Sequence, residues 1–200
     1  VWLNEAYTVD VERQFMADRF GAVWARLGQV DAMRSPRSGP LAVEDGGRLG
    51  NIVREGFNDP DELIDGVTYV KAAEVIGMLR SILGKDVFRK GADLYFRRYR
   101  GGNATTARFF ECFEEVSGRD LAQFRREWLH TIGYPIICWK AAYDPAARRL
   151  TLTLEQRRRG EGGMFHVPLR LAAVDRNGRD IAGTDRVVEI AGSEKQITID

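Results

Sequence analysis

The stretch VTYVKAAEVIGML, residues 67–79, decides the class of the first two thirds of the chain. Its apolar side chains recur every three or four residues, as on one face of a helix, and this spacing continues to Leu83 before Gly84 supplies a stop. Tyr69 stands where this helix begins, directly after a glycine-rich segment. A tyrosine in that place can simply pack its ring and hydrogen bond its hydroxyl to water. The stretch therefore predicts a buried helix that follows an irregular segment.

Two helices are predicted on the N-terminal side of this stretch, over residues 5–20 and 22–34. Their apolar stripes comprise Tyr7, Val11, Phe15, Met16 and Phe20 in the first helix, and Val23, Leu27 and Val30 in the second. Ser35-Pro36 ends the second helix, because the residue before a proline avoids helical backbone angles. Residues 37–60 are rich in glycine and poor in large apolar side chains, so they are predicted to form a long loop.

Three further helices are predicted on the C-terminal side, over residues 86–99, 105–116 and 120–132. Thr105 is the expected N-cap of the second and Gly118 its stop, with Phe109, Phe110 and Phe113 facing inward. Asp120 with Gln123 resembles a capping box for the last helix, whose apolar stripe runs through Leu121, Phe124, Trp128 and Ile132. The sequence therefore predicts a bundle-like body of six helices over residues 1–132.

At Gly133 the spacing of apolar residues changes from about 3.6 to about 2, which is typical of strands. Residues 150–154 and 167–171 alternate apolar and polar side chains, and Asn177-Gly178 favours a hairpin turn. Apolar residues at 188–190 and 197–199 close the series. Residues 133–200 are therefore predicted to be an antiparallel, Ig-like β-sandwich. About four or five strands are few for a closed sandwich, so we expect it to be incomplete.

Composition excludes some partners. The net charge of +1 creates no field that would gather nucleic acid or a membrane surface, and no apolar run approaches the roughly 20 residues that span a bilayer. Cys112 and Cys138 fit a reducing cytoplasm better than a disulfide framework, so a cytoplasmic location is expected. A chain that opens on Val1-Trp2 without a methionine is expected to be a portion of a longer protein.

Candidate metal-ligating residues are few. The two histidines, His130 and His166, lie far apart, and neither has a second histidine at the spacing of one helical turn. Glu5 opens the first helix within the stretch WLNEAY, residues 2–7. Taken alone, a glutamate in the first turn is favoured by the positive end of the helix dipole.

The stretches around Glu5 and Tyr69 together resemble two motifs of the aminopeptidase N family of zinc metallopeptidases, also called gluzincin aminopeptidases. Residues 2–8, WLNEAYT, are similar to a family segment of the form W-L-N-E-G-F-A, and residues 67–79 are similar to I-x-Y-x-K-G-A-x-V-L-x-M-L. Residues 83–91, 102–106, 128–135 and 166–178 resemble further family segments in the same order.

The resemblance implies a fold and a chemistry. The expected fold is an α+β multidomain fragment, namely the helical C-terminal subdomain of a thermolysin-like catalytic domain followed by a partial antiparallel β-sandwich. In the family, zinc activates a water that attacks the first peptide bond of a peptide substrate. The resemblance places a zinc ligand on Glu5 and a catalytic hydroxyl on Tyr69, with Asn4 as a candidate to orient the metal ligand.

Other positions in the motifs are assigned smaller roles. Lys71 lies two residues beyond Tyr69 and therefore points to the other side of the helix, which favours a structural role for it, and Glu74 is a weaker candidate. Ala6 and Ala72 stand where the family has glycines, and each adds one methyl group to a tightly packed helix. The loop over residues 46–58 is expected to line the substrate cleft.

This chain lacks an H-E-x-x-H segment, which in the family supplies two zinc-binding histidines and the general base. We therefore expect the remainder of the parent chain to complete the site, and the chain alone to be inactive. One alternative is a catalytically inactive relative that serves as a binding or assembly scaffold, which the two alanines leave open. A second alternative is an independent helical module with a β tail.

Overall fold

The computed structural model describes residues 1–45 and 50–199, and the chain divides into two compact units, Val1–Gly133 and Tyr134–Asp200. The first unit is helical and the second consists of antiparallel strands, which confirms the predicted α+β class. Among the described residues, no helix is both long enough and apolar enough to cross a bilayer.

The helical unit contains seven α-helices within its described residues, together with one 3₁₀ turn (Pro60–Leu63) and one π-helical turn (Val67–Lys71). The helices are α1 (Trp2–Phe20), α2 (Ala22–Arg34), α3 (Pro40–Asp45), α4 (Ala72–Leu83), α5 (Lys85–Tyr99), α6 (Thr106–Ser117) and α7 (Ala122–Leu129). Helix α3 lies where a loop was predicted, so that part of the loop prediction is wrong. Proline at the first position of α3 is compatible with a helix start, because the N–H that proline lacks has no partner there.

The core of this unit combines the aliphatic buried face of α4 with aromatic rings of α5 and α6. Phe109, Phe110 and Phe113 of α6 are buried, as predicted, and the ring centroids of Phe88 and Phe113 lie 5.1 Å apart. Gly91 lets α5 approach α6 closely, since a Cβ atom at that position would lie 2.4 Å from Cδ1 of Phe113. The two helices therefore pack ring against backbone.

The ends of α6 also agree with the sequence. The Thr105 hydroxyl accepts the N–H of Arg108 at 3.3 Å, and Gly118 ends the helix in the left-handed region with φ of 66°. The start of α7 differs from the prediction, since the helix begins at Ala122 and not at residue 120. The Asp120 carboxylate accepts the N–H of Ala122 at 2.8 Å. Ile132 lies beyond the end of α7 and is exposed, so its place in the apolar stripe was wrong.

The predicted apolar stripes of α1 and α2 were wrong for most of their members, although Tyr7 packs against the rings of Phe88 and Phe96. Phe15 on α1 is 62% exposed and Val23 on α2 is 77% exposed. The buried face of α1 instead consists of Trp2, Ala6 and Asp10, which recur every four residues. A small residue and a carboxylate thus face the rest of the unit, while several large apolar side chains face outward.

The second unit has five strands within its described residues. They are β1 (Tyr134–Asp144), β2 (Arg149–Arg159), β3 (Val167–Leu171), β4 (Arg186–Ile190) and β5 (Glu194–Ile199). One sheet has the order β1-β2-β5 and the other pairs β3 with β4, all antiparallel. The predicted turn at Asn177-Gly178 is confirmed, since Val174 and Asp180 form an isolated bridge on either side of it and Gly178 has φ of 78°.

Candidate active site

The first turn of α1 is anchored on one side and open on the other. The Trp2 indole is buried and its Nε1 donates a hydrogen bond to Oγ1 of Thr106 at 3.0 Å. Ala6 lies four residues further along α1, on the same face, and is fully buried. Glu5 lies off this buried face and is partly exposed. The fold therefore fixes the backbone at Glu5 and leaves its carboxylate available.

Tyr69 lies in the π-helical turn Val67–Lys71, which we call the Tyr69 turn. Thr68 and Lys71 point into the unit and are buried, whereas the Tyr69 side chain is partly exposed. The wider π-helical geometry is rare in proteins and is frequent at functional sites. Sequence periodicity placed a helix here but gave no sign of its π-helical start.

Glu5 and Tyr69 meet at this surface. The Glu5 carboxylate and the Tyr69 hydroxyl lie close enough for each to shift the pKa of the other, and Nδ2 of Asn4 donates to Oε1 of Glu5 at 3.0 Å. The hydrogen bond from Asn4, followed by the neighbouring Tyr69 hydroxyl, lowers the pKa of Glu5. The neighbouring Glu5 carboxylate raises the pKa of Tyr69, so the phenol remains protonated to higher pH than an ordinary tyrosine. The three candidate residues of the two motifs thus form one cluster.

Asp65 and Arg54 hold the beginning of the Tyr69 turn. Oδ1 of Asp65 accepts the N–H groups of Val67 and Thr68, both at 2.9 Å. The backbone carbonyl of Asp65 accepts the N–H of Tyr69 at 3.1 Å. The other carboxylate oxygen, Oδ2, forms an ion pair with Arg54. Sequence reasoning missed both residues, although an aspartate just before a helix start is a recognisable capping signal.

Lys71 and Glu44 hold the other end of the turn. The Lys71 side chain is 2% exposed, and its Nζ donates to Oε1 of Glu44 at 2.6 Å and to the carbonyl of Gly133 at 3.0 Å. Burial raises the pKa of Glu44, and the neighbouring Lys71 ammonium opposes that rise. Lys71 does point away from Tyr69, and it ties the Tyr69 turn to α3. No local pattern marks a partner that lies so far away in the sequence.

Two further ion pairs fix α1 against α4. Nη1 of Arg13 lies 2.9 Å from the Glu74 carboxylate, and Nη2 donates to the carbonyl of Val70 at 3.4 Å. Arg80 binds the buried Asp10 through two hydrogen bonds, one of 2.9 Å and one of 2.5 Å. Glu74 therefore joins helices, and the structure gives it no contact with Glu5 or Tyr69. These contacts set the distance between the two segments that carry the candidate residues.

The described residues supply too few donor side chains at one place for a metal ion. Within residues 1–45 and 50–199, no group of three histidine, cysteine, aspartate or glutamate side chains could hold a metal. His130 is exposed, and His166 pairs with Glu189 at 2.5 Å in the β unit. Structural zinc sites use four protein ligands and catalytic sites three. Glu5 therefore fits as one ligand of a set that the described residues do not complete.

The loop that was expected to line the substrate cleft is described in part. Its residues 46–49 lie outside the described part of the chain. The following segment borders an open, polar cavity of about 640 Å³, lined by Gly50, Asn51, Arg54, Glu55, Gly56, Asp61, Glu62, Ile64 and Asp65. The cavity thus shares Arg54 and Asp65 with the support of the Tyr69 turn.

Comparison with known proteins gives a consistent result. The sequence profile of the Peptidase family M1 domain matches residues 1–128, and that of a domain of unknown function with an Ig-like fold (DUF3458) matches residues 133–200. Over 150 residues the chain is 40% identical to aminopeptidase N of Caulobacter vibrioides, covering 74% of this chain and 17% of that protein. It is 33% identical over 190 residues to aminopeptidase N of Escherichia coli, covering 90% of this chain and 21% of that protein.

A solved structure supports the fold. The crystal structure of Legionella pneumophila aminopeptidase A in complex with aspartic acid aligns with a TM-score of 0.76 at 20% identity, covering 100% of this chain and 21% of that one. The chain thus spans about a fifth of the length of the two curated relatives described above. These matches confirm the resemblance carried by the two motifs. The chain belongs to peptidase family M1.

Proposed function

We propose that the chain forms part of the active site of a zinc-dependent aminopeptidase, which releases N-terminal residues from peptides. The observation that carries this proposal is the proximity of the Glu5 carboxylate to the Tyr69 hydroxyl at one surface of the unit. The two residues come from distant parts of the sequence, and the ion pairs between α1 and α4 hold their segments together. The kinship with aminopeptidases supports the substrate class.

Glu5 is assigned as a carboxylate ligand of the metal. It is partly exposed, its pKa is lowered, and Asn4 orients one of its oxygens, so it is ionised at neutral pH and available. Zinc at such a site lowers the pKa of a bound water towards about 7 and polarises a carbonyl. We propose that the remaining ligands are supplied from outside the described residues, which offer no complete set.

Tyr69 is assigned as the donor to the oxyanion that forms when the peptide carbonyl is attacked. Its hydroxyl carries a proton at neutral pH, since the raised pKa disfavours the phenolate. A donor aimed at the developing charge stabilises the transition state more than the ground state, and one such donor contributes about 3 kcal/mol.

Ala6 and Ala72 do not prevent this arrangement. Both side chains are fully buried, so each methyl group is accommodated within the packed unit. Glu5 and Tyr69 still meet beside them. This favours the enzyme over the alternative of a scaffold whose site has been lost.

The test uses the full-length protein that contains this chain. Tyr69→Phe removes the donor and keeps the ring, so we expect kcat on an aminoacyl p-nitroanilide to fall by about a hundredfold or more. Zinc content, measured by elemental analysis, should not change. Tyr95→Phe is the matched control, because Tyr95 packs against the aromatic rings of Phe96 and Phe109 rather than near Glu5. Undiminished turnover in Tyr69→Phe would remove this assignment.

A second measurement concerns the chain by itself. We propose that these 200 residues neither retain zinc stoichiometrically nor cleave peptides, because Glu5 alone cannot hold the ion. Dialysis against buffered zinc, followed by elemental analysis, should find less than one ion per chain. Stoichiometric zinc that depends on Glu5 would contradict the proposal.

A further inference from the structure

We propose that Asp65 and Arg54 are positioning residues for Tyr69, holding its hydroxyl at the place where it meets Glu5. This inference rests on the function proposed above. It concerns an aspartate four residues before the tyrosine and an arginine from the preceding loop, neither of which touches Glu5.

Asp65 binds the backbone at the start of the Tyr69 turn. Three successive N–H groups, those of Val67, Thr68 and Tyr69, all end on Asp65. The first N–H groups of any helix lack partners within the helix. Here one carboxylate oxygen of Asp65 accepts hydrogen bonds from two of them. Because the Tyr69 N–H is bound to the carbonyl of the same residue, the Tyr69 backbone cannot shift without breaking this set.

Asp65 is itself held in place by Arg54. Its Oδ2 is paired with Nη2 of Arg54, and both side chains are largely buried. Nη1 of Arg54 donates to the carbonyl of Glu62, and Nε donates to the carbonyl of Asn51 at 3.3 Å. The planar guanidinium thus binds three acceptors in fixed directions. The carboxylate is held from the side opposite to the Tyr69 turn.

The position of the Tyr69 hydroxyl depends on this support. The Tyr69 ring is partly exposed, so its packing does not fix the hydroxyl, and its position depends on the backbone that carries it. A displacement of about 1 Å at a catalytic group can cost about a hundredfold in rate. Loss of the Asp65 carboxylate should therefore act on turnover through Tyr69.

Three variants of the full-length protein separate the contributions. Asp65→Ala removes the ion pair and the carboxylate oxygen that accepts the N–H groups of Val67 and Thr68, and it keeps the carbonyl that accepts the Tyr69 N–H. Asp65→Asn keeps an acceptor oxygen and loses the ion pair. Arg54→Met removes the ion pair and the two hydrogen bonds to the carbonyls of Glu62 and Asn51, and it keeps the Asp65 carboxylate. We expect kcat to fall by about tenfold to a hundredfold in Asp65→Ala and by less in the other two, with KM and zinc content nearly unchanged. Asp59→Ala is the matched control, since Asp59 accepts the N–H of Asp61 in the 3₁₀ turn and does not contact the Tyr69 turn.

The decisive measurement repeats each variant in the Tyr69→Phe background. If Asp65 acts through the hydroxyl, Asp65→Ala should lower kcat little further once the hydroxyl is absent. An equal fold loss in both backgrounds would show a general structural defect and overturn the inference, as would an unchanged kcat in Asp65→Ala. If Asp65→Ala does not fold, Arg54→Met decides by the same criterion.

The outcomes also distinguish this inference from the function on which it rests. If Tyr69→Phe lowers kcat and Asp65→Ala adds the same fold loss to it, the inference fails and the proposed function stands. If Tyr69→Phe leaves kcat unchanged, the proposed function fails and the inference fails with it.

Discussion

The helical unit packs α1 against α4 and α5 against α6 in different ways. Between α1 and α4 the contacts are charged and directional, as in the pairs Asp10–Arg80 and Arg13–Glu74. Between α5 and α6 the buried contacts are aromatic, with Phe88 on Phe113 at 5.1 Å between ring centroids, and the ion pair of Arg98 with Glu115 is exposed. We call the contact between α1 and α4 the charged side and the contact between α5 and α6 the aromatic side. The candidate site, with Glu5 close to Tyr69, lies on the charged side.

The difference separates two tasks. Burial of rings is non-directional and supplies free energy of folding in rough proportion to the area removed from water. Charge-assisted hydrogen bonds contribute less net free energy but fix distance and angle. The aromatic side should therefore determine the stability of the unit, and the charged side the geometry of the site.

The largest effect is expected on the aromatic side. Phe113→Ala deletes a ring that is fully buried and in contact with two other rings, so the free energy of unfolding should fall by about 4 kcal/mol. Urea denaturation followed by circular dichroism measures it. Phe15→Ala is the matched control, because that ring is 62% exposed and its loss should change stability little. Equal losses in the two variants would break the comparison.

Removal of Lys71 tests the charged side at its most buried point. Lys71→Met leaves the Glu44 carboxylate buried without its cation, and a broken buried pair costs about 3 kcal/mol. The double variant Lys71→Met/Glu44→Leu should recover much of that loss, because two apolar side chains can pack in place of the pair. Failure of the double variant to recover any stability would show that packing, not charge, dominates here.

The same variant has a pH dependence with a definite sign. Burial raises the pKa of Glu44 and Lys71 opposes that rise, so the pKa should rise further in Lys71→Met. A carboxyl group whose folded-state pKa is raised stabilises the fold fully below its unfolded pKa of about 4.3 and loses that contribution as the pH rises through the folded value. The deficit of Lys71→Met should therefore be small near pH 4 and grow towards pH 7. A deficit that shrinks as the pH rises would contradict this explanation.

Arg80 connects the two regions, since it binds Asp10 and lies over the ring of Phe88 at 5.6 Å from the centroid. Arg80→Met should lower the free energy of unfolding by about 2 kcal/mol, because the buried Asp10 loses two hydrogen bonds from a charged group. Arg89→Met is the control, as its pair with Asp93 is exposed and spans one helical turn. A loss in Arg89→Met as large as that in Arg80→Met would show that burial of the pair does not matter.

The aromatic side was readable from the sequence and the charged side was not. The inward positions of Phe109 and Phe113 and the cap at Thr105 follow from local spacing, which periodicity detects. The buried face of α1 did not follow from it, because Asp10 is buried only through Arg80, a residue remote in sequence. Hydrophobic spacing assigned the outward side of α1 to the core for the same reason.

The candidate site shows the same division. Glu5 and Tyr69 were found through motif resemblance, which carries information about a whole family. Asp65 had a local signal, since it stands just before the helix start, yet its pair with Arg54 could not be read from spacing. The pair of Lys71 with Glu44 gave no sequence signal, because nothing near either residue identifies its partner.

The smallest expected effect compares two neighbouring threonines at the start of α6. Thr105 accepts the N–H of Arg108 and serves the helix, whereas Thr106 accepts the Trp2 indole and links α6 to the turn that carries Glu5. Thr105→Ala should lower the free energy of unfolding by about 1 kcal/mol, and Thr105→Ser should restore most of it by keeping the hydroxyl. Thr106→Ala also removes one hydrogen bond, at a cost of about 1 kcal/mol, but it frees the buried Trp2 anchor. In the full-length protein we therefore expect turnover to fall in Thr106→Ala and to stay unchanged in Thr105→Ala. Because the two substitutions have about the same cost in stability, this difference would separate a contact that supports the fold from one that supports the site.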